Sequence, residues 1–267
     1  MSHSPEAPPA RLTPALVAST LIAALGGLLF GFDTAVISGT TEALRSVYGL
    51  SGFGLGFTVA SALIGTILGA MVVGRPTDVF GRRWVLIAIA VLYFVSAVGT
   101  ALAWDWWSLL FFRFVGGIGV GGASVVSPMY IAEISPAALR GRLVAVTQFN
   151  IVLGILLAFF SNYLLAQADL GPTEWRWMFG VEAFPAAAFF FLLFLTPQSP
   201  RWLVARGRAG EARAVLTRLG TDETRVDGEI EAIAASLDLE HHSLEEPLFQ
   251  AAYRGPVLLA IAMAAFN

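Results

Sequence analysis

Six runs of about twenty mostly apolar residues constrain this chain more than any other feature. They cover roughly 16–38, 53–74, 84–104, 107–131, 143–166 and 177–196. A run of that length in an α-helix crosses the hydrocarbon core of a bilayer, so the sequence predicts six spanning helices. Composition agrees. Hydrophobic residues make up 57% and charged residues 13%, and the mean hydropathy is +0.73. A water-soluble domain of this size needs far more surface charge.

The same reading divides the chain. Residues 1–15 are polar and Pro-rich, without the basic start and cleavage site of a signal peptide, and read as a disordered tail. Residues 16–196 form the membrane domain. Residues 197–255 carry two amphipathic repeats, Ala212, Val215, Leu216, Leu219 and Ile230, Ile233, Ala234, Leu237, which predict short helices outside the membrane. The acidic run Asp222, Glu223, Glu229 and Glu231 reads as the solvated face of the second. A seventh apolar run opens near Pro256 and stops at Asn267, so 256–267 reads as the start of a further span in a longer molecule.

Charge placement orients the helices. Arg75, Arg82, Arg83, Arg140, Arg142, Arg201, Arg206 and Arg208 flank one set of span ends, and Arg45 and Arg176 the other. Basic loops stay inside, which puts the Arg-rich ends and the N-terminus in the cytoplasm. All seven Trp fall at span ends, as an interfacial belt requires.

Three ionisable residues lie within the runs: Asp33, Arg113 and Glu182. Each costs at least ~2.5 kcal/mol at a helix centre, so each needs a reason. Counting residues from the span ends places all three in one layer of the outer leaflet. A structural ion cluster is the plain reading, and snorkelling suits Arg113 better than the short Asp33. The sharper reading is a proton site, because a carboxylate whose partner moves can load and release a proton. At the Arg-rich ends, positive-inside anchoring explains the arginines but leaves Asp78 and Glu133 among them unexplained.

The glycines of 116–122 and the Gly65/Gly69 pair read as close helix packing. A nucleotide loop does not fit there: no strand precedes the run and no Lys-Ser/Thr follows it. Cysteine is absent and histidine occurs three times, which removes a disulfide framework and a Cys-based zinc site. No Ser/His/Asp set or metal cluster suggests an enzyme, and no resident cofactor, metal or nucleic acid is expected.

The motifs in order resemble the sugar porter family of the major facilitator superfamily. They are Gly26-Gly27 through Asp33 to Gly39, Arg113-Phe114-Val115-Gly116-Gly117, Pro128-Met129-Tyr130-Ile131-Ala132-Glu133, Arg140-Gly141-Arg142, Gln148-Phe149, and Ser199-Pro200-Arg201-Trp202-Leu203. The resemblance implies an all-α six-helix bundle of two inverted three-helix repeats, the N-terminal half of a twelve-span carrier. It implies plasma-membrane transport of a hexose or pentose, coupled to protons; facilitative uniport is the first alternative. A non-transporting sugar sensor, an assembly partner or an inert fragment is the alternative of another class, and pairing with a second half or with another copy is open. By the same resemblance Asp33, Arg113 and Glu182 couple protons. Phe30, Gln148, Ile151 and Asn267 contact the sugar, and Asp78, Arg82, Arg83, Glu133, Arg140 and Arg201 form a cytoplasmic gate. Two departures, Val79 where a basic residue is usual and Gln198 where Glu is usual, each remove a charge from that gate.

Overall fold

Thr13 starts the first helix. Its hydroxyl accepts from the Leu16 amide while Pro14 occupies the first turn, where a missing N–H costs nothing. The computed structural model describes residues 12–241, with Gly255 and Leu258. The expected tail before Leu12, the expected seventh span and Asn267 fall outside the described residues.

Twelve α-helices follow in order among the described residues: α1 Pro14–Val36, α2 Thr41–Tyr48, α3 Gly52–Val72, α4 Gly74–Phe80, α5 Arg82–Ala101, α6 Trp106–Ile134, α7 Arg140–Gln167, α8 Glu174–Gly180, α9 Ala183–Leu193, α10 Pro200–Ala205, α11 Ala209–Leu219 and α12 Glu223–His241. Six segments are long and apolar enough to cross a membrane: α1, α3, α5, α6, α7 and the pair α8–α9. Each coincides with one of the six apolar runs. The start of α6 shows how an end is fixed. Asp105 accepts from the Ser108 amide at 2.7 Å, and Ser108 Oγ in turn accepts from the Asp105 amide. That backbone bond holds the Asp105 carboxyl below the usual carboxylate range.

Packing follows an inverted repeat. The second span lies along the fourth (α3 on α6), and the fifth along the first (α7 on α1). The two joints match position for position. Gly26, Gly27 and Gly31 recur as Gly116, Gly117 and Gly121. A Cβ on Gly27 would press the Thr147 carbonyl oxygen, and one on Gly117 the Ala62 carbonyl oxygen. Gly31 meets the Ile151 carbonyl as Gly121 meets that of Thr66; Gly154 meets Leu28 as Gly69 meets Ile118. Backbones this close leave no room for side chains, which is the usual basis of tight helix pairs in lipid.

The third and sixth spans, α5 and α8–α9, also pack together, and each braces the far end of the other. Arg83, at the start of α5, donates to the carbonyls of Leu193 and Phe194 at 3.2 and 3.0 Å. Arg176, in α8, donates to the Ala101 carbonyl at 2.8 Å. Both satisfy C-terminal carbonyls that the helix itself cannot.

Three expectations change. The sixth run reads as one helix, but the chain turns at Val181–Glu182 between α8 and α9. Pro185 is the cause: it brings no N–H and its ring crowds the carbonyl four residues back, that of Val181. Second, Trp84, Trp104, Trp107 and Trp177 are exposed, as a belt needs, but Trp175 (1% exposed) and Trp202 are buried in the protein. Trp175 packs edge-on against Tyr48 and Phe179, and Trp202 donates from its ring nitrogen to the Asp78 carbonyl at 2.9 Å. Third, among the described residues three helices follow α9, not two: α10 carries Trp202 and Leu203, which pack with Ala212 of α11.

Candidate transport site

The three intramembrane charges converge. Asp33 lies near the end of α1 and Arg113 in the second turn of α6, and Arg113 Nη1 donates to Asp33 Oδ1 at 2.6 Å. Asp33 is 4% exposed and Arg113 3% exposed, so the pair is dry and charge-assisted. Arg113 does not snorkel; its guanidinium turns inward and lies 5.4 Å from the ring centre of Phe179. Glu182 is 3% exposed, sits in the break of the sixth span and is near enough for the charges of Asp33 and Arg113 to act on it. Its Oε1 and the Arg113 Nε each lack a hydrogen-bond partner. Two unmatched groups, one a donor and one an acceptor, leave capacity for a second pairing.

Tyr93 of α5 is a further buried polar group there. It is 1% exposed, its hydroxyl is unpaired, and both carboxylates act on it. Sequence reading passed over Tyr93, because one tyrosine in an apolar span looks like core.

Of the residues assigned to sugar contact, Phe30, Gln148 and Ile151 lie on α1 and α7, which pack together. Ile151 packs where Gly27 and Gly31 let α7 approach α1. Phe30 is half-buried against the core, and Gln148, one turn before Ile151, is exposed.

The Arg-rich end carries the second cluster. Arg82 Nε lies 2.8 Å from Glu133 Oε2, and its Nη1 lies 3.5 Å from Asp78. Glu133 also accepts from Ser199 Oγ at 2.5 Å. Arg83 instead holds the end of the sixth span through the two carbonyls above and, from its amide, donates to Gln198 Oε1 at 3.1 Å. Gln198 therefore still ties α5 to the segment after α9 without a charge. Arg140 donates to the Ala132 carbonyl at 3.0 Å. Arg201 donates to Ser236 at 3.1 Å. Arg82, Glu133, Arg140 and Arg201 line one cavity of about 440 Å³, together with Leu216, Glu229 and Ile233. Three partners were not foreseen: Ser199, Arg206, which donates to the Asp78 and Val79 carbonyls at 2.8 and 3.0 Å, and Tyr130, which donates to the Pro197 carbonyl at 2.7 Å.

A family model described as "Sugar (and other) transporter" matches residues 19–267. The D-xylose-proton symporter of Escherichia coli (strain K12) is 43% identical over 249 residues, covering 82% of this chain and 50% of that protein. The arabinose-proton symporter of Bacillus subtilis (strain 168) is 38% identical, covering 92% of this chain and 53% of that protein. Among solved structures, the proton:xylose symporter XylE bound to 6-bromo-6-deoxy-D-glucose superposes with a TM-score of 0.82 at 42% identity, over 86% of this chain and 54% of that one. The inward-open xylose transporter XylE from E. coli gives 0.76 at 41% identity, over 86% and 57%. The chain thus spans about half the length of the relatives it matches.

Proposed function

The chain belongs to the sugar transporter family, and from that premise we propose that it supplies the first six spans of a proton-coupled monosaccharide carrier that works by alternating access. The observation that carries this reading is the buried Asp33–Arg113 pair with Glu182 beside it. With both carboxylates ionised, the single guanidinium leaves a net negative charge in a buried site, and one added proton removes it. A protonated Asp33 loses its hold on Arg113, and the unpaired Glu182 oxygen is an alternative acceptor. A guanidinium with two positions between α1 and the sixth span links proton load to helix position.

In this reading Phe30, Gln148 and Ile151 line this half's share of a sugar path, with Asn267 on the following segment. The substrate is a hexose or pentose: relatives named for xylose, arabinose and glucose share the same helices. The Arg-rich end faces the cytoplasm, the N-terminus included, and the Arg82–Glu133–Ser199 bonds with Asp78, Arg83, Arg140 and Arg201 serve as its latch. The setting is the plasma membrane, and the facing wall comes from a second six-span half or a second copy.

The test is Asp33→Asn in the complete carrier. An amide keeps the hydrogen bond but takes up no proton. Proton-driven accumulation of labelled xylose or glucose is expected to vanish, while exchange of labelled for unlabelled sugar persists. Undiminished accumulation by the Asn variant overturns proton coupling and leaves facilitated diffusion; loss of both activities makes the pair structural.

A further inference from the structure

The seam between the third and sixth spans carries a groove that the transport reading does not use. At the end bearing Arg176 it opens into a hollow of about 470 Å³, lined by Ala101 and Leu102 of the α5 end and by Arg176, Trp177, Ala183 and Phe184 of the sixth span. Further along the same seam lies a second hollow of about 250 Å³, lined by Ala90, Val91, Phe94, Ala187, Phe190 and Phe191. The lining residues recur at helical spacing on one stripe of each helix, Ala90 through Phe94 to Ala101 and Ala183 through Ala187 to Phe191, so the hollows follow one another along a single face. The cause is in the sequence: alanines on both helices leave the floor low, and the exposed Phe94, Phe184 and Phe191 stand as its walls.

A groove at this depth faces lipid, not water. Its lining is almost wholly apolar, and the exceptions are Thr173 and Arg176 at one end. That guanidinium stacks 4.4 Å from the Trp175 ring centre and gives one N–H to the Ala101 carbonyl. No carboxylate pairs with it among the described residues. It stands beside Trp177 at the level of a span end, which is headgroup depth. An uncompensated cation above an apolar channel matches an acyl chain attached to a phosphate.

We propose that this seam is a binding slot for an anionic glycerophospholipid, with the headgroup phosphate on Arg176 and an acyl chain in the hollow between α5 and α8–α9. The lipid spans the line where the two inverted repeats meet. A bound chain there fills space that otherwise lacks contacts, and it ties the break at Glu182 to lipid composition.

Native mass spectrometry of the full chain, purified in mild detergent and titrated with phosphatidylglycerol, reads this directly. Wild-type chain is expected to retain the lipid. Arg176→Gln lowers affinity roughly fivefold, the worth of one surface arginine toward anionic lipid, and Arg176→Lys keeps most of it. Ala183→Leu fills the hollow and lowers retention with the arginine intact, which a general charge effect does not do. Arg45→Gln, at the same end but off the groove, leaves retention unchanged. Circular dichroism checks that each variant folds; if Arg176→Gln does not, the Ala183→Leu result stands alone. Equal retention by wild type and Ala183→Leu overturns the slot, as does an equal loss in Arg45→Gln. Disulfide-linked dimers formed by Phe184→Cys at high yield overturn it too, because they show a second copy in the groove.

Discussion

Asp33, Arg113 and Glu182 share a layer because the spans carrying them run in known directions, and that depth was readable before any coordinates. Their chemistry was readable too, since a charge inside an apolar run is rare enough to need a partner. The 2.6 Å contact supplies the partner. Ser199, Tyr130 and Arg206 were not readable, because each acts through a bond set by tertiary approach: Ser199 on Glu133, Tyr130 on the Pro197 carbonyl, Arg206 on the Asp78 carbonyl. Gln148 is the residue to test here. It is the exposed amide on the stripe of α7 that carries Ile151, and among the described residues no hydrogen bond occupies it. An amide in that place is free to bond a hydroxyl, and a net hydrogen bond is worth about 0.5–1.5 kcal/mol. Gln148→Ala in the complete carrier is therefore expected to weaken sugar affinity roughly two- to tenfold. Equilibrium binding of xylose, glucose and arabinose measures it, and no change for any sugar removes Gln148 from the path.

Among the elements, the span count follows from apolar run length alone, and the six segments appear where the runs are. Helix α2 escaped notice because eight residues between two spans leave little periodicity. The break in the sixth span was legible in principle: Pro185 stands three residues after Glu182, and an interior proline disrupts the turn before it. The run was long and apolar enough to mask that signal. The glycine joints make the sharpest prediction for an element. Gly121 meets the Thr66 backbone, and its counterpart Gly31 meets that of Ile151. A side chain at either place forces two main chains apart, beyond the about 1–3 kcal/mol of ordinary overpacking. Gly121→Leu and Gly31→Leu should each lower the thermal midpoint in detergent, and to similar extents. Gly141, with open space around it, is the control and should tolerate alanine. A tolerated leucine at Gly121 breaks the claim that the backbones touch there.

For the whole molecule, the repeat is inverted in backbone but not in chemistry. The glycine register that aligns Gly31 with Gly121 sets Ala123 opposite Asp33 and Ala23 opposite Arg113. The two joints are thus alike in packing, while the buried charge pair occurs once, at the Arg176 end. The arginines are equally one-sided: Arg82, Arg83, Arg140, Arg201, Arg206 and Arg208 gather at the other end. Such asymmetry fixes how the bundle sits, because basic loops resist translocation. The predicted topology places the loop at Asp169 outside and α11–α12 inside. The chain has no cysteine, so a single introduced thiol reports its own side without background. Asp169 and Arg225 are both exposed, at opposite ends of the bundle. In intact cells a membrane-impermeant maleimide should label Asp169→Cys and spare Arg225→Cys. After permeabilisation both should react. Labelling of Arg225→Cys in intact cells would invert the topology. It would also turn the Arg82–Glu133–Ser199 cluster into an outer latch and put the buried Asp33–Arg113 pair nearest the cytoplasm, reversing the side from which Asp33 takes up its proton.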